Sequence, residues 1–305
     1  MSIWVAGEVL IDVLPTGPVV GGGPANTAKA LARLGHDVEF IDGISMDAYG
    51  VSARKEFLRD GVKLTHAFSS DKPTCTAQVN IDDKGGASYI FTIDGTATFD
   101  FADTWLPDPS RYKPSLLHVG TLVTIVEPGC HVLHEWAMRT AEFAPIVFDP
   151  NIRPSVISDR DLYEAAVEKW VAISTVVKVS DDDLAWLFPG LDPVDVAHRW
   201  VADGVAMVVI TRGADGLTAV TAHEVCNVAG VRVEVIDTVG AGDTVGAILV
   251  EGILEYGVLN LHGQMLREVL HRASIAASIT CGRKGAQPPS KFELQDALEQ
   301  LENRE

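Results

Sequence analysis

The sequence predicts an α/β fold: a doubly wound, mainly parallel sheet with helices on both faces and a small β-sheet lid. Three observations predict it. After about residue 145, short apolar runs alternate with helical patterns, as repeated βα units require. Before that point, two segments of alternating polarity flank a Gly-rich turn. Finally, two glycine-rich stretches, at 21–23 and 240–246, each run directly into a helical pattern.

Taken in chain order, VLIDVLP at 9–15 reads as an early strand. GGGPANTAKALARLG at 21–35 reads as a loop entering a helix: Pro24 suits a first helical position, Ala28, Leu31, Ala32 and Leu34 share a face, and Gly35 ends it. TAQVNI and ASYIFTI, joined by DDKGG, read as a β-hairpin. With the early strand they make a small sheet that serves either as a lid or as an edge meander and dimer surface, the lid strands lying within about 9–18 and 74–99. PIVFD then precedes the helix DLYEAAVEKWVAI, TVVKV precedes DDLAWLF, AMVVIT precedes a turn, and VRVEVID precedes a helix from Ala241. A single domain over 1–305 is expected, with no repeat, low-complexity tract or long linker.

The totals narrow the function classes. With 305 residues, 47% of them hydrophobic, the chain can bury a large core. Acidic residues number 42 against 24 basic, a formal charge of −18 that repels polyanions, so nucleic acid is not an expected partner. No uninterrupted apolar run of about 18 residues exists and MSIWVAGEVLID lacks a signal-peptide pattern, so a cytoplasmic protein without a membrane partner is expected. Cys75, Cys130, Cys226 and Cys281 are scattered and expected to be reduced thiols. His131 and His134 form an HxxH pair outside any HExxH pattern, which favours packing or surface roles over metal ligation.

In a parallel sheet, ligands bind beyond the carboxyl ends of the strands, where Asp149, Ser180, Thr211 and Asp237 would gather. The most informative stretch there is DTVGAGDTVGA at 237–247. A helix starting near Ala241 presents unpaired N–H groups to an anion, and Gly240 and Gly242 remove side chains that would block the approach. Asp243 in that first turn is then either a base for a hydroxyl attacking phosphorus, or simply an acid that favours a helix N-terminus. No GxxxxGK[ST] string exists, and GxGxxxG is not the dinucleotide spacing. Asn26 in the first turn of the front helix, and Asp12 after the first strand, could bind a polyol or act as ordinary turn residues.

These two glycine stretches, with FDPNIRP, KVSDDDL, TRGADG and RKGAQP in order between and after them, resemble the ribokinase-like, or PfkB, family of carbohydrate kinases, over 7–288. The resemblance implies ATP-dependent phosphoryl transfer to a hydroxymethyl group. Asp243 would be the base and the Ala241, Gly242 and Asp243 amides the anion hole, with Gly240 in the catalytic turn before them. Asp12, Gly22, Gly23, Asn26 and Arg153 would contact the sugar. Lys178, Ser180, Thr211, Gly213, Gly216 and Ser274 would form the nucleotide site. Asp183 would order magnesium through water, and Asp237, Val239, Thr280 and Gly285 would surround a monovalent cation, usually potassium. Gly85 and its neighbours would belong to the lid, through which a homodimer could pair. From their places at strand ends, Lys178, Arg212 and Arg153 either offset the overall negative charge near ATP or fill surface and structural roles.

The chain departs from the family pattern at three places. Ser180 to Asp183 stands for the NxxE motif, Ser45, Met46 and Asp47 stand for GDD, a change that would alter the sugar pocket, and Thr92 and Ile93 stand where many acid-sugar kinases carry a Tyr-Arg pair. The last departure, with FDPNIRP, favours a neutral sugar, fructose first, with 2-keto-3-deoxygluconate or ribose as alternatives. A non-catalytic sugar or nucleotide sensor on the same fold is the reading from another class.

Overall fold

In the computed structural model, residues 1–81 and 87–302 are described. The strands in chain order are β1 (Ile3–Ala6), β2 (Leu10–Leu14), β3 (Gly17–Gly21), β4 (Val38–Ile41), β5 (Gly43–Ser45), β6 (Phe68–Ser70), β7 (Thr76–Ile81), β8 (Ala87–Thr92), β9 (Leu116–Gly120), β10 (Ile146–Asp149), β11 (Val176–Ser180), β12 (Met207–Thr211), β13 (Leu217–Thr221) and β14 (Val225–Val228). The helices are α1 (Gly23–Arg33), α2 (Ala48–Asp60), α3 (Pro109–Tyr112), α4 (Gly129–Ala141), α5 (Arg160–Val171), α6 (Asp181–Leu187), α7 (Pro193–Ala202), α8 (Ala241–Tyr256), α9 (Gly263–Cys281) and α10 (Lys291–Glu302).

The large sheet runs β14-β13-β12-β11-β10-β9-β1-β4. It is parallel from β4 to β12 and antiparallel at the β12-β13-β14 edge. Alternating residues of its strands feed two cores. Ile3 and Val5 join Leu31 of α1, Ile248 of α8 and Ala273 of α9, whereas Trp4 and Ala6 join Trp136 of α4, Trp170 of α5 and Trp200 of α7. Burial on both faces explains why these strands are almost continuously apolar. From β1 the chain winds through α1 to β4 on one side, and β9 returns on the other side of β1, so the winding reverses between β1 and β9. Open α/β sheets hold their ligands at that reversal.

A second sheet, β3-β2-β7-β8, contains the strands expected within about 9–18 and 74–99, with β2 and β7 pairing in parallel. β3 extends to Gly21, beyond the expected span. The DDKGG turn, and Gly85 with it, lies outside the described residues.

VRVEVID is not a strand, and Asp237 does not end one: residues 229–240 are irregular. The antiparallel β13 and β14 occupy the sheet edge instead. The valines have another use, because Val231, Val233 and Val235 line a cavity together with Arg232 instead of pairing in the sheet.

Candidate active site

The geometry is organised by the start of α8. Gly240 adopts φ 82, in the left-handed region that suits glycine, and a Cβ there would lie 2.6 Å from Ala286 Cβ. Having no side chain, Gly240 cannot cap the helix. The Ala241 amide donates to Thr238 O at 3.2 Å, and the Thr244 amide donates to Gly240 O at 2.9 Å. The Gly242 and Asp243 amides therefore form the free end of the helix, a narrower cradle than the three amides expected.

Asp243 is buried, and its Oδ2 accepts from Asn26 Nδ2 at 2.9 Å across 217 residues of chain. Burial pushes its carboxyl up to about 6, against the pull of the nearby Lys178 ammonium. Lys178 Nζ donates to Asp149 Oδ2 at 2.8 Å, both side chains being buried. Burial alone would lower the Lys178 pKa, but the Asp149 carboxylate carries it above the ordinary range. A Cβ on Gly242 would meet Lys178 Nζ at 3.0 Å, so the ammonium lies against the first turn of α8.

Two cavities meet at this turn and share Thr238 and Gly242. The first, about 310 Å³, brings together the expected Asp12, Gly22, Gly23, Asn26, Arg153, Gly240 and Asp243. Close packing explains the front glycines. A Cβ on Gly21 would lie 2.4 Å from Asp12 Oδ2, one on Gly22 2.4 Å from Glu8 O, and one on Gly23 3.3 Å from Asp243 Oδ1. Burial raises the Asp12 carboxyl. Arg153 Nη1 folds back onto the Asn151 and Ile152 carbonyls at 3.1 and 3.0 Å.

The second cavity, about 700 Å³, gathers Ser180, Thr211, Gly213, Gly216, Ala241 and Ser274. Ser274 Oγ is already engaged, accepting from the Val231 amide and donating to Ala229 O, both at 3.3 Å, which pins the irregular segment to α9. Lys178 lines the first cavity and not the second. Arg212 lines neither.

Asp183 also lines neither cavity. Its Oδ1 accepts from the Ile152 amide at 3.0 Å and its Oδ2 from the Ser180 amide at 3.4 Å. Each oxygen keeps a second lone pair, so a water-mediated contact to a metal fits, whereas direct ligation would compete with the backbone bonds. Asp237 accepts from the Val239 amide at 3.1 Å and the Gly285 amide at 2.9 Å, which joins three of the expected cation-site residues. The fourth, Thr280, is fully buried and bonds Thr244 Oγ1 at 3.0 Å.

Asp47 is a helix cap, accepting from the Gly50 amide and from both the amide and hydroxyl of Thr74, and neither Ser45 nor Met46 lines the first cavity. The expected effect of this segment on the sugar pocket has no support in those contacts. Phe91, rather than Thr92 or Ile93, borders the cavity. His131 and His134 turn to different partners, Glu127 and Lys169 O, and no metal-holding group of three or more His, Cys, Asp or Glu exists among the described residues. The four cysteines are free. No helix among the described residues is long and apolar enough to cross a membrane.

Sequence reasoning assigned no role to Glu8, Thr121 or Asp149. Glu8 is buried beside the first cavity and its carboxyl is pushed up to about 7 by burial. Asp149 was visible only as a polar residue ending a strand, and its tie to Lys178 could not be read from spacing.

Comparison with known proteins bears on this arrangement. Residues 9–292 match the model of the pfkB family of carbohydrate kinases. A fructokinase of Rhizobium leguminosarum bv. trifolii is 35% identical, over 79% of this chain and 76% of that protein. A fructokinase of Escherichia coli is 28% identical over 96% and 98%. Among solved structures, Xylella fastidiosa fructokinase with bound ATP superposes with a TM-score of 0.90 at 24% identity, over 99% of each chain. A double-mutant Vibrio cholerae O395 fructokinase with fructose, ADP and potassium ion bound gives 0.84 at 25% identity, over 98% of each chain.

Proposed function

The chain belongs to the pfkB family of carbohydrate kinases, and from that premise we propose that it transfers the γ-phosphoryl group of ATP to a primary hydroxyl of fructose. The observation that carries this reading is the buried Asp243 carboxylate, beside the unpartnered Gly242 and Asp243 amides where the two cavities join. The polar first cavity suits the sugar, and the larger second cavity suits the nucleotide. The fructokinases among its relatives support fructose as the acceptor.

Ionised above about pH 6, Asp243 accepts the hydroxyl proton as the oxygen attacks the γ-phosphorus and the bond to ADP breaks. Asn26 orients the carboxylate, which leaves Oδ1 towards the cavity side of Gly23. The α8 amides and the Lys178 ammonium face the transferred group and offset its charge. Magnesium arriving with ATP would neutralise the phosphate oxygens, with Asp183 reached through water. The loop joined by Asp237 and Gly285 would hold a monovalent cation and steady the turn before α8. The β2-β3-β7-β8 sheet, reaching the cavity through Leu10, Asp12 and Phe91, would close over the sugar and exclude water.

ADP release with fructose, ribose, 2-keto-3-deoxygluconate and nucleosides, each with ATP, magnesium and potassium, tests the reading. Fructose should give the highest kcat/KM. Thermal stabilisation by sugar without ADP from any acceptor would instead establish a sensor.

A further inference from the structure

Glu8 follows β1 and Thr121 follows β9, so the two residues face each other where the winding of the sheet reverses. The Thr121 hydroxyl donates to Glu8 Oε1. Thr121 adopts φ 59, a conformation costly for a β-branched residue, and this contact helps to hold it. Its Cγ2 would lie 2.9 Å from a Cβ on Gly23, while the Glu8 carbonyl would lie 2.4 Å from a Cβ on Gly22. The Gly22-Gly23 turn is therefore wedged between the Glu8-Thr121 pair and the Asp243 carboxylate.

The pair leaves something undone. Glu8 is 3% exposed, and its Oε2 has no hydrogen-bond partner. Asn26 Oδ1, lining the same cavity and equally buried, has none either. Buried polar atoms left unpaired are costly and rare, and a cavity that collects two of them is short of donors. A polyol supplies O–H groups of that kind. Ionised, the Glu8 carboxylate can only accept, so Oε2 calls for a donor.

We propose that Glu8 is a specificity-determining residue of the acceptor cavity: Oε1 anchors Thr121, and Oε2 receives a sugar hydroxyl other than the one phosphorylated. The inference rests on the sugar-kinase reading and deepens it. Asp243 serves the reacting hydroxyl from the far side of the Gly22-Gly23 turn, which leaves Glu8 to recognise a second position on the same sugar.

The test pairs Glu8→Gln with a set of monodeoxy fructoses, measuring kcat and KM for sugar and for ATP, with melting temperature as the check on folding. Glutamine keeps an acceptor for Thr121 and replaces the free oxygen with an N–H donor. Losing one hydrogen bond to a charged group should raise the sugar KM about 10- to 100-fold, with the ATP KM unchanged. For one monodeoxy sugar, wild type and variant should have the same kcat/KM, because the hydroxyl read by Glu8 is already gone. That same monodeoxy sugar should bind wild type about 10- to 100-fold more weakly than fructose, which reads the contact without any substitution. An equal loss on every deoxy sugar, or a rise in the ATP KM matching that for sugar, would overturn the inference. ADP release by wild type tests the kinase reading separately. Calorimetric binding of the same sugars reads the Glu8 effect without turnover.

Discussion

Two helix starts in this protein share a pattern and use it differently. α6 and α8 each carry an aspartate as third residue, Asp183 and Asp243. At α6 the preceding residue is Ser180, whose hydroxyl accepts from the Asp183 amide while the Asp183 carboxylate returns a bond to the Ser180 amide. This capping box satisfies the helix end internally. At α8 the preceding residue is Gly240, which has no side chain to give, and the carboxylate of Asp243 turns instead to Asn26 on another helix. An acid in a first turn therefore says little by itself, and the residue at the cap decides whether the helix end is closed or left open for a ligand.

The difference should be plainest in turnover. Asp243→Asn should keep the fold and ATP affinity while lowering kcat by about 10²- to 10⁴-fold, the usual contribution of a general base. Asp183→Asn, measured in the same ADP-release assay, should stay within about tenfold of wild type, since only an indirect, water-mediated contact is proposed for it.

The next effect is on pH dependence. With Asp243 titrating near 6, the base is protonated below that value, so kcat/KM for the sugar should fall about tenfold per pH unit on the acid side and level off above it. A rate that keeps its plateau down to about pH 4.5 would mean that this carboxylate does not act as the base.

Stability should move the other way. Asp183→Ala removes the acceptor for the amides of buried Ile152 and half-buried Ser180 and should cost about 1 to 3 kcal/mol in denaturant unfolding, a loss not expected for Asp243→Asn. The last expected effect concerns Asp243 itself. Its folded pKa is raised, so the native state holds the proton more tightly than the unfolded chain, and the wild type loses stability as pH rises from about 4 to about 6. Asp243→Asn should lack that decline, which melting curves of the two proteins across this range would detect.

Much of this was legible in the residues because it is local. Gly240, Gly242 and Asp243 sit within one turn, and a helix start with free amides can be read from their spacing. The front loop could be read for the same reason, with Pro24 at the first helical turn and Asn26 beside it. The contacts that make the site work are not local. Asn26 meets Asp243 across 217 residues, Glu8 meets Thr121 across 113, and Lys178 meets Asp149 across 29. Only the order of strands brings those pairs together. VRVEVID misled because apolar residues at every second position imitate a half-buried strand whatever they face, and here the valines line a cavity, with Arg232 among them, rather than pairing in the sheet. Likewise the serine and aspartate spacing at 180–183 fits a metal motif and a capping box equally well; the hydrogen bonds form the box, with which a water-mediated metal contact is compatible.

The decisive measurement is a crystal structure of the Asp243→Asn protein with fructose and a non-hydrolysable ATP analogue. A primary hydroxyl of the sugar should lie within hydrogen-bond distance of the substituted side chain, with the γ-phosphate on the backbone amides of positions 242 and 243. A sugar hydroxyl separated from that side chain by more than one bridging water, or a γ-phosphate away from the start of α8, would contradict the assignment of Asp243 as the base.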